Sequence, residues 1–122
     1  MLGYATIGVS NLDKAKAFYA PLVEAMGGTA LFGSPRLQLY GRSMEEATFG
    51  ICLPFDGEAN HPGNGNMLAL RCDSRAKVDE MHALALELGA TCDGAPGERM
   101  PIFYGAYVRD PDGNKLCFFI FG

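Results

Sequence analysis

Few side chains in this sequence are equipped for chemistry, and they are scattered. The chain holds two histidines and four cysteines. His61 sits in a Pro/Gly/Asn stretch, and His82 follows Met81 on a helical pattern, placed to point partly inward. Neither has an acid or a nucleophile at a suggestive spacing, so both read as surface or interface histidines. Cys52, Cys72, Cys92 and Cys117 make no Cys-x-x-Cys pair and join no histidine at zinc-finger spacing. They read as reduced, mostly buried thiols. Arg36, Gln38 and Arg99 are polar groups able to contact a ligand. The two arginines can hold an anion by paired hydrogen bonds, though solvated surface arginine is their commoner role. There is no Ser/His/Asp constellation, no phosphate-cradling loop and no paired-carboxylate site, so residue types alone assign no catalytic group.

Composition excludes other classes. A net charge of −4 makes a mildly acidic surface, whereas a nucleic-acid binder needs a basic footprint. No apolar run approaches the roughly 20 residues that span a bilayer. The N-terminal MLGYATIGV lacks a basic segment, an apolar core and a cleavage site, so a cytoplasmic location is expected. At 122 residues the chain is long enough for one domain with a core that needs no disulfide.

Two helices position whatever site exists. The first is predicted over Leu12–Met26. Ser10 and Asn11 are good N-caps, Leu12, Ala15, Phe18, Tyr19, Leu22 and Met26 share a face, and Gly27-Gly28 stops it. Pro21 inside this pattern predicts a kink or a break. The second is predicted over Arg75–Leu88, capped by Asp73 or Ser74, with Val78, Met81, Ala85 and Leu88 inward and Gly89 as its stop. Leu2–Val9 and Met67–Cys72 read as strands that precede the helices. Arg36–Tyr40, Ala47–Leu53, Tyr104–Arg109 and Lys115–Phe121 are further β-rich runs, with a short strand near Thr91. Asp110-Pro111-Asp112-Gly113 makes a hairpin turn, with proline presetting φ and glycine accepting a left-handed conformation.

The two halves repeat one another. Tyr4 matches Met67, Ser10 matches Asp73 and Lys14 matches Lys77 at a common offset of 63 residues. Ile51-Cys52 and Leu116-Cys117 recur late in each half. The fold class expected is α+β, two βαβββ modules in one chain. Module one covers about 1–57, a linker about 58–65 within the glycine-rich Gly57–Gly65 stretch, and module two about 66–122.

Three segments carry a resemblance to a known family. ATIGVSNLDKAKAFYAPLVEAMG, GNGNMLALRCDSRAKVDEMHALALELGA and GAYVRDPDGNKLCFFIF resemble the opening, the middle and the closing hairpin of vicinal oxygen chelate proteins, the small glyoxalase/bleomycin-resistance/dioxygenase proteins. The resemblance implies a mixed sheet curled around a pocket. It also implies a divalent metal held by His, Gln or Glu on each module's first strand and Glu on each last strand.

Transfer of those ligands fails residue by residue. The first-strand positions are Tyr4 and Met67. The last-strand positions are Cys117 and, by the repeat, Cys52, with Gly50 as the alternative register. These residues suit neither a hard cation nor an imidazole-loving one. Two thiolates and a thioether would suit a cuprous ion, but adaptable apolar side chains filling an emptied site is the plainer reading. The expectation is therefore no metal and no cofactor. The residues expected to line the pocket are Tyr4, Arg36, Gln38, Phe49, Cys52, Met67, Arg99, Tyr104 and Cys117, shaped by loops such as Ser34–Arg42 and Gly94–Phe103. The function implied is metal-free binding of a small organic molecule. The alternative is a metal-dependent lyase or dioxygenase of the lactoylglutathione-lyase type. A homodimer is expected from the family's habit, with no nucleic-acid or membrane partner.

Overall fold

The computed structural model describes residues 1–122, which fall into two compact units, Met1–Pro62 and Gly63–Gly122. No helix is long and apolar enough to cross a membrane.

The first unit runs β1 (Tyr4–Gly8), α1 (Leu12–Ala25), β2 (Thr29–Gly33), β3 (Leu37–Gly41), β4 (Thr48–Cys52). Its sheet has the order β1-β4-β3-β2, with β1 parallel to β4 and the other pairs antiparallel. The helix begins where Asn11 Oδ1 accepts the Lys14 N–H at 3.0 Å. It then buries Leu12, Ala15, Phe18, Tyr19, Leu22 and Val23. Those side chains meet Tyr40, Phe49 and Ile51 on one face of the sheet, with Tyr19 and Phe49 rings 5.8 Å apart. The break expected at Pro21 does not occur, because the helix continues to Ala25. Proline removes one intrahelical donor, and the buried Phe18 and Leu22 on either side hold the turn in place.

The second unit repeats the plan as β5 (Leu68–Arg71), α2 (Arg75–Glu87), β6 (Thr91–Met100), β7 (Phe103–Arg109), β8 (Lys115–Phe121), in the order β5-β8-β7-β6. Strands β5 and β8 are parallel, and the β6–β7 and β7–β8 pairs are antiparallel. Ser74 Oγ caps α2 through the Lys77 N–H at 3.0 Å. Val78, Met81, His82 and Ala85 bury against the sheet face that carries Ala106, Val108, Leu116 and Phe118. The β7–β8 turn is built on Asp110. One of its carboxylate oxygens accepts from the Asp112 and Asn114 backbones, and the other from Asn114 Nδ2 at 2.9 Å. Gly113 closes the turn at φ 90°.

The Arg36–Tyr40 run within Ser34–Arg42 forms β3, as its composition predicts. Gly94–Phe103, read as a loop, is largely the far end of β6, ten residues long rather than a short strand near Thr91. β6 is an edge strand with three register irregularities around Gly94, Gly97 and Glu98. An edge tolerates Pro96 and the paired glycines that hide a strand from a hydrophobic pattern.

Candidate functional site

In each unit the helix covers one face of the sheet, and strand alternation assigns every candidate residue to that face or the other. In the first unit, Ala5, Ile7, Phe49 and Ile51 share the helix-covered face, as the pairs Ala5–Phe49 and Ile7–Ile51 show. Tyr4, Thr6, Thr48, Gly50 and Cys52 therefore turn away from α1. In the second unit, Tyr104 belongs to the helix side: its hydroxyl donates to Asp79 of α2 at 2.6 Å, and the Arg75 guanidinium lies 4.9 Å from its ring centroid. That hydrogen bond raises its pKa, helped by burial. Tyr107, Cys117, Phe119 and Phe121 take the opposite face, with Met67, Ala69 and Arg71 beside them.

The nine residues expected to line a pocket therefore separate. Phe49 and Tyr104 pack toward their helices. Gln38 pairs with Ile51 and donates its amide to the Phe32 and Leu39 carbonyls, each at 3.0 Å. Arg36 is exposed, donating to the Leu53 carbonyl at 2.8 Å and lying over Phe55. Tyr4 and Cys52 in the first unit, and Met67, Arg99 and Cys117 in the second, belong to the faces turned from the helices.

The backbone also settles the repeat register. Val9 N–H bonds the Cys52 carbonyl in the first unit, and Cys72 N–H bonds the Phe119 carbonyl in the second. Cys52 is therefore the counterpart of Phe119, and Gly50 that of Cys117. The pairs Thr6–Gly50 and Ala69–Cys117 agree. The offset of 63 residues holds on the first strands and at the helix starts, where Asn11 and Ser74 are the N-caps, and it grows before the last strands because the second unit's later strands are longer.

The donor set at the four ligand positions is thus a phenol, no side chain, a thioether and a thiol. A Cβ at Gly50 would stand 2.5 Å from Leu39 Cδ2 and 3.0 Å from the Gln38 carbonyl oxygen, so a carboxylate there has no room without rearrangement. Cys117 is buried, 1% exposed, and burial pushes its thiol pKa up despite the Tyr107 hydrogen bond. Met67 is a weak donor to a hard ion. No group of three or more His, Cys, Asp or Glu side chains is placed to hold a metal. These residues do not fit the divalent centre that the resemblance implies.

What the second unit's face does offer is cationic and aromatic. The Arg99 guanidinium and the Lys115 ammonium lie 5.4 and 5.2 Å from the Tyr107 ring centroid. Phe103, Phe119 and Phe121 form a cluster, with the Phe103 and Phe119 rings stacked at 5.5 Å. Arg71 lies over Phe121 at 5.5 Å. The unit's ion pairs are Arg75–Glu98, Lys77–Glu80, Arg109–Asp93 and Lys115–Asp93, so Arg71 and Arg99 belong to none of them. In the first unit, Thr48 Oγ1 is buried with no hydrogen-bond partner on the same face as Tyr4 and Gly50. Strand alternation is the one sequence signal that places Tyr107 and Phe119 on this face, since neither forms a motif with its neighbours.

The model of the Glyoxalase/Bleomycin resistance protein/Dioxygenase superfamily matches residues 1–118. A glyoxalase/bleomycin resistance protein from Albidiferax ferrireducens T118 is 34% identical, with a TM-score of 0.88 over 98% of this chain and 97% of that one. A glyoxalase/bleomycin resistance protein/dioxygenase family enzyme from Burkholderia phytofirmans PsJN has the same fold, at 21% identity and TM-score 0.77 over 98% of each chain. No curated protein sequence matches the chain.

Proposed function

Because this chain belongs to the glyoxalase/bleomycin resistance/dioxygenase superfamily, we propose that it binds a small organic molecule without a divalent metal. One observation carries this reading: the residues at the four ligand positions, Tyr4, Gly50, Met67 and Cys117, cannot supply the converging nitrogen and oxygen donors that such a metal needs. Metal chemistry in such proteins polarises neighbouring oxygens of a substrate. Without those donors the site is left with recognition by shape, charge and stacking.

The class of molecule follows from the second unit's open face. Arg71 and Arg99 present guanidinium groups that accept no proton and favour carboxylate geometry. Between them lie the rings of Tyr107, Phe119 and Phe121. An organic anion with an aromatic or conjugated body satisfies both features, its carboxylate on an arginine and its body on the rings.

The test is a titration of small aromatic carboxylates in the presence of EDTA, followed by tyrosine fluorescence or calorimetry. Saturable binding that survives EDTA and falls at least about tenfold in Arg99→Ala, the loss of one charge-assisted hydrogen-bonding group, supports the reading. Binding or turnover that appears only when zinc, nickel or manganese is restored would contradict it.

A further inference from the structure

On the helix side of the second unit, away from the face just described, His82 of α2 meets Cys92 of β6. The imidazole Nε2 and the thiol Sγ are 3.3 Å apart. His82 is 7% exposed, whereas Cys92 is exposed. Cys92 lies near the start of the edge strand, just before a register shift, where no further strand covers it. A reagent can therefore reach the sulfur from the sheet edge while the imidazole behind it is shielded from water. Burial holds His82 below the usual histidine pKa, and Asp79 one helical turn earlier opposes this only in part. The ring is consequently neutral at pH 7, and with the proton on Nδ1 its Nε2 can accept one. Asp79 is itself occupied by the Tyr104 hydroxyl.

We propose that Cys92 and His82 form a nucleophilic site that adds to electron-poor alkenes conjugated to a carbonyl. The thiol proton passes to His82 Nε2 as the sulfur bonds to the β-carbon of the alkene. The carbon–carbon π bond opens toward the carbonyl as an enolate, and the α-carbon takes the proton back from the imidazolium. The product is a thioether, nothing is oxidised, no group leaves, and the histidine returns to its starting form. One imidazole suffices for this step. Acyl transfer would need an oxyanion site and leaving-group protonation as well.

The other thiols make the claim selective. Cys72 and Cys117 are buried, with Cys72 pushed to about 11 chiefly by burial, and Cys52 is half-buried. The probe is N-ethylmaleimide at pH 7, with adducts at each cysteine followed by peptide mass mapping. Cys92 should react first and about tenfold or more faster than the free thiol of glutathione, a modest share of what a positioned base supplies. His82→Asn should bring that rate down to the glutathione level with the circular dichroism spectrum unchanged, and Cys92→Ser should remove the fast adduct. A wild-type Cys92 no faster than glutathione overturns the proposal, as does an unchanged rate in a folded His82→Asn protein. If that variant does not fold, the wild-type comparison decides. This outcome is independent of the carboxylate titration, because the two sites occupy opposite faces of the sheet.

Discussion

Gly50 stands where the register puts a counterpart of Cys117, and its surroundings have closed over the space a side chain would use. Gly50→Glu would restore a carboxylate to the first unit, but its Cβ meets Leu39 and the Gln38 backbone. We predict a loss of about 1–3 kcal/mol from overpacking, seen as a lower urea midpoint, with no zinc or nickel gained on dialysis. Thr48 is the converse case. Its Oγ1 is buried without a partner, so Thr48→Val removes an unsatisfied hydroxyl while keeping the shape. That change should leave stability equal or raise it by about 1 kcal/mol, and a fall of that size would show that Oγ1 has a partner. Burial lowers the His82 pKa from 6.5 in the folded protein, so the unfolded chain takes up the proton first as pH falls. The stability owed to the neutral ring is full above about 6.5 and is lost as pH drops from there through the folded value. Urea midpoints should therefore decline between pH 7.5 and 5.5, and His82→Asn should flatten that slope.

Among the elements, those with local punctuation were legible in the sequence and those at sheet edges were not. Asn11, Ser74, Gly27 and Gly89 mark both helices within a residue or two of their ends, because caps and stops act through neighbouring backbone groups. The Asp110–Gly113 turn was equally plain. β2 was not located, since as an edge strand it exposes Thr29, Ala30, Phe32 and Gly33 and shows no alternation. β6 hid behind Gly94, Pro96 and Gly97. The same edge concealed the candidate thiol site: His82 and Cys92 are brought together by α2 packing on β6, and no spacing along the chain announces such a contact. The register of Gly50 needed the strand hydrogen bonds, because the two halves differ in strand length. The turn offers a test at this scale. Asp110→Ala would leave Asn114 and the turn amides without their buried acceptor. We expect a cost of about 2–3 kcal/mol, as for hydrogen bonds to a charged group, measured by chemical denaturation; a change below about 0.5 kcal/mol would mean the turn is held by Pro111 and Gly113 alone.

For the molecule as a whole, family membership and fold follow from the match over residues 1–118 and the close structural relative. Assembly is the next property to expect. Tyr4, Phe32 and Met67 are 59, 53 and 46% exposed on or beside β1, β2 and β5, and these edge strands with such apolar groups call for cover. We expect a homodimer, with light scattering giving about twice the 13.1 kDa chain mass; a mass near 13.1 kDa at micromolar concentration would contradict it. Recognition without a divalent metal, as proposed, is checked by metal quantification. Protein expressed with added zinc, nickel and manganese should carry far less than one equivalent of any of them by plasma emission spectroscopy. About one equivalent per chain, lost when Cys117 is replaced by alanine, would overturn the metal-free reading.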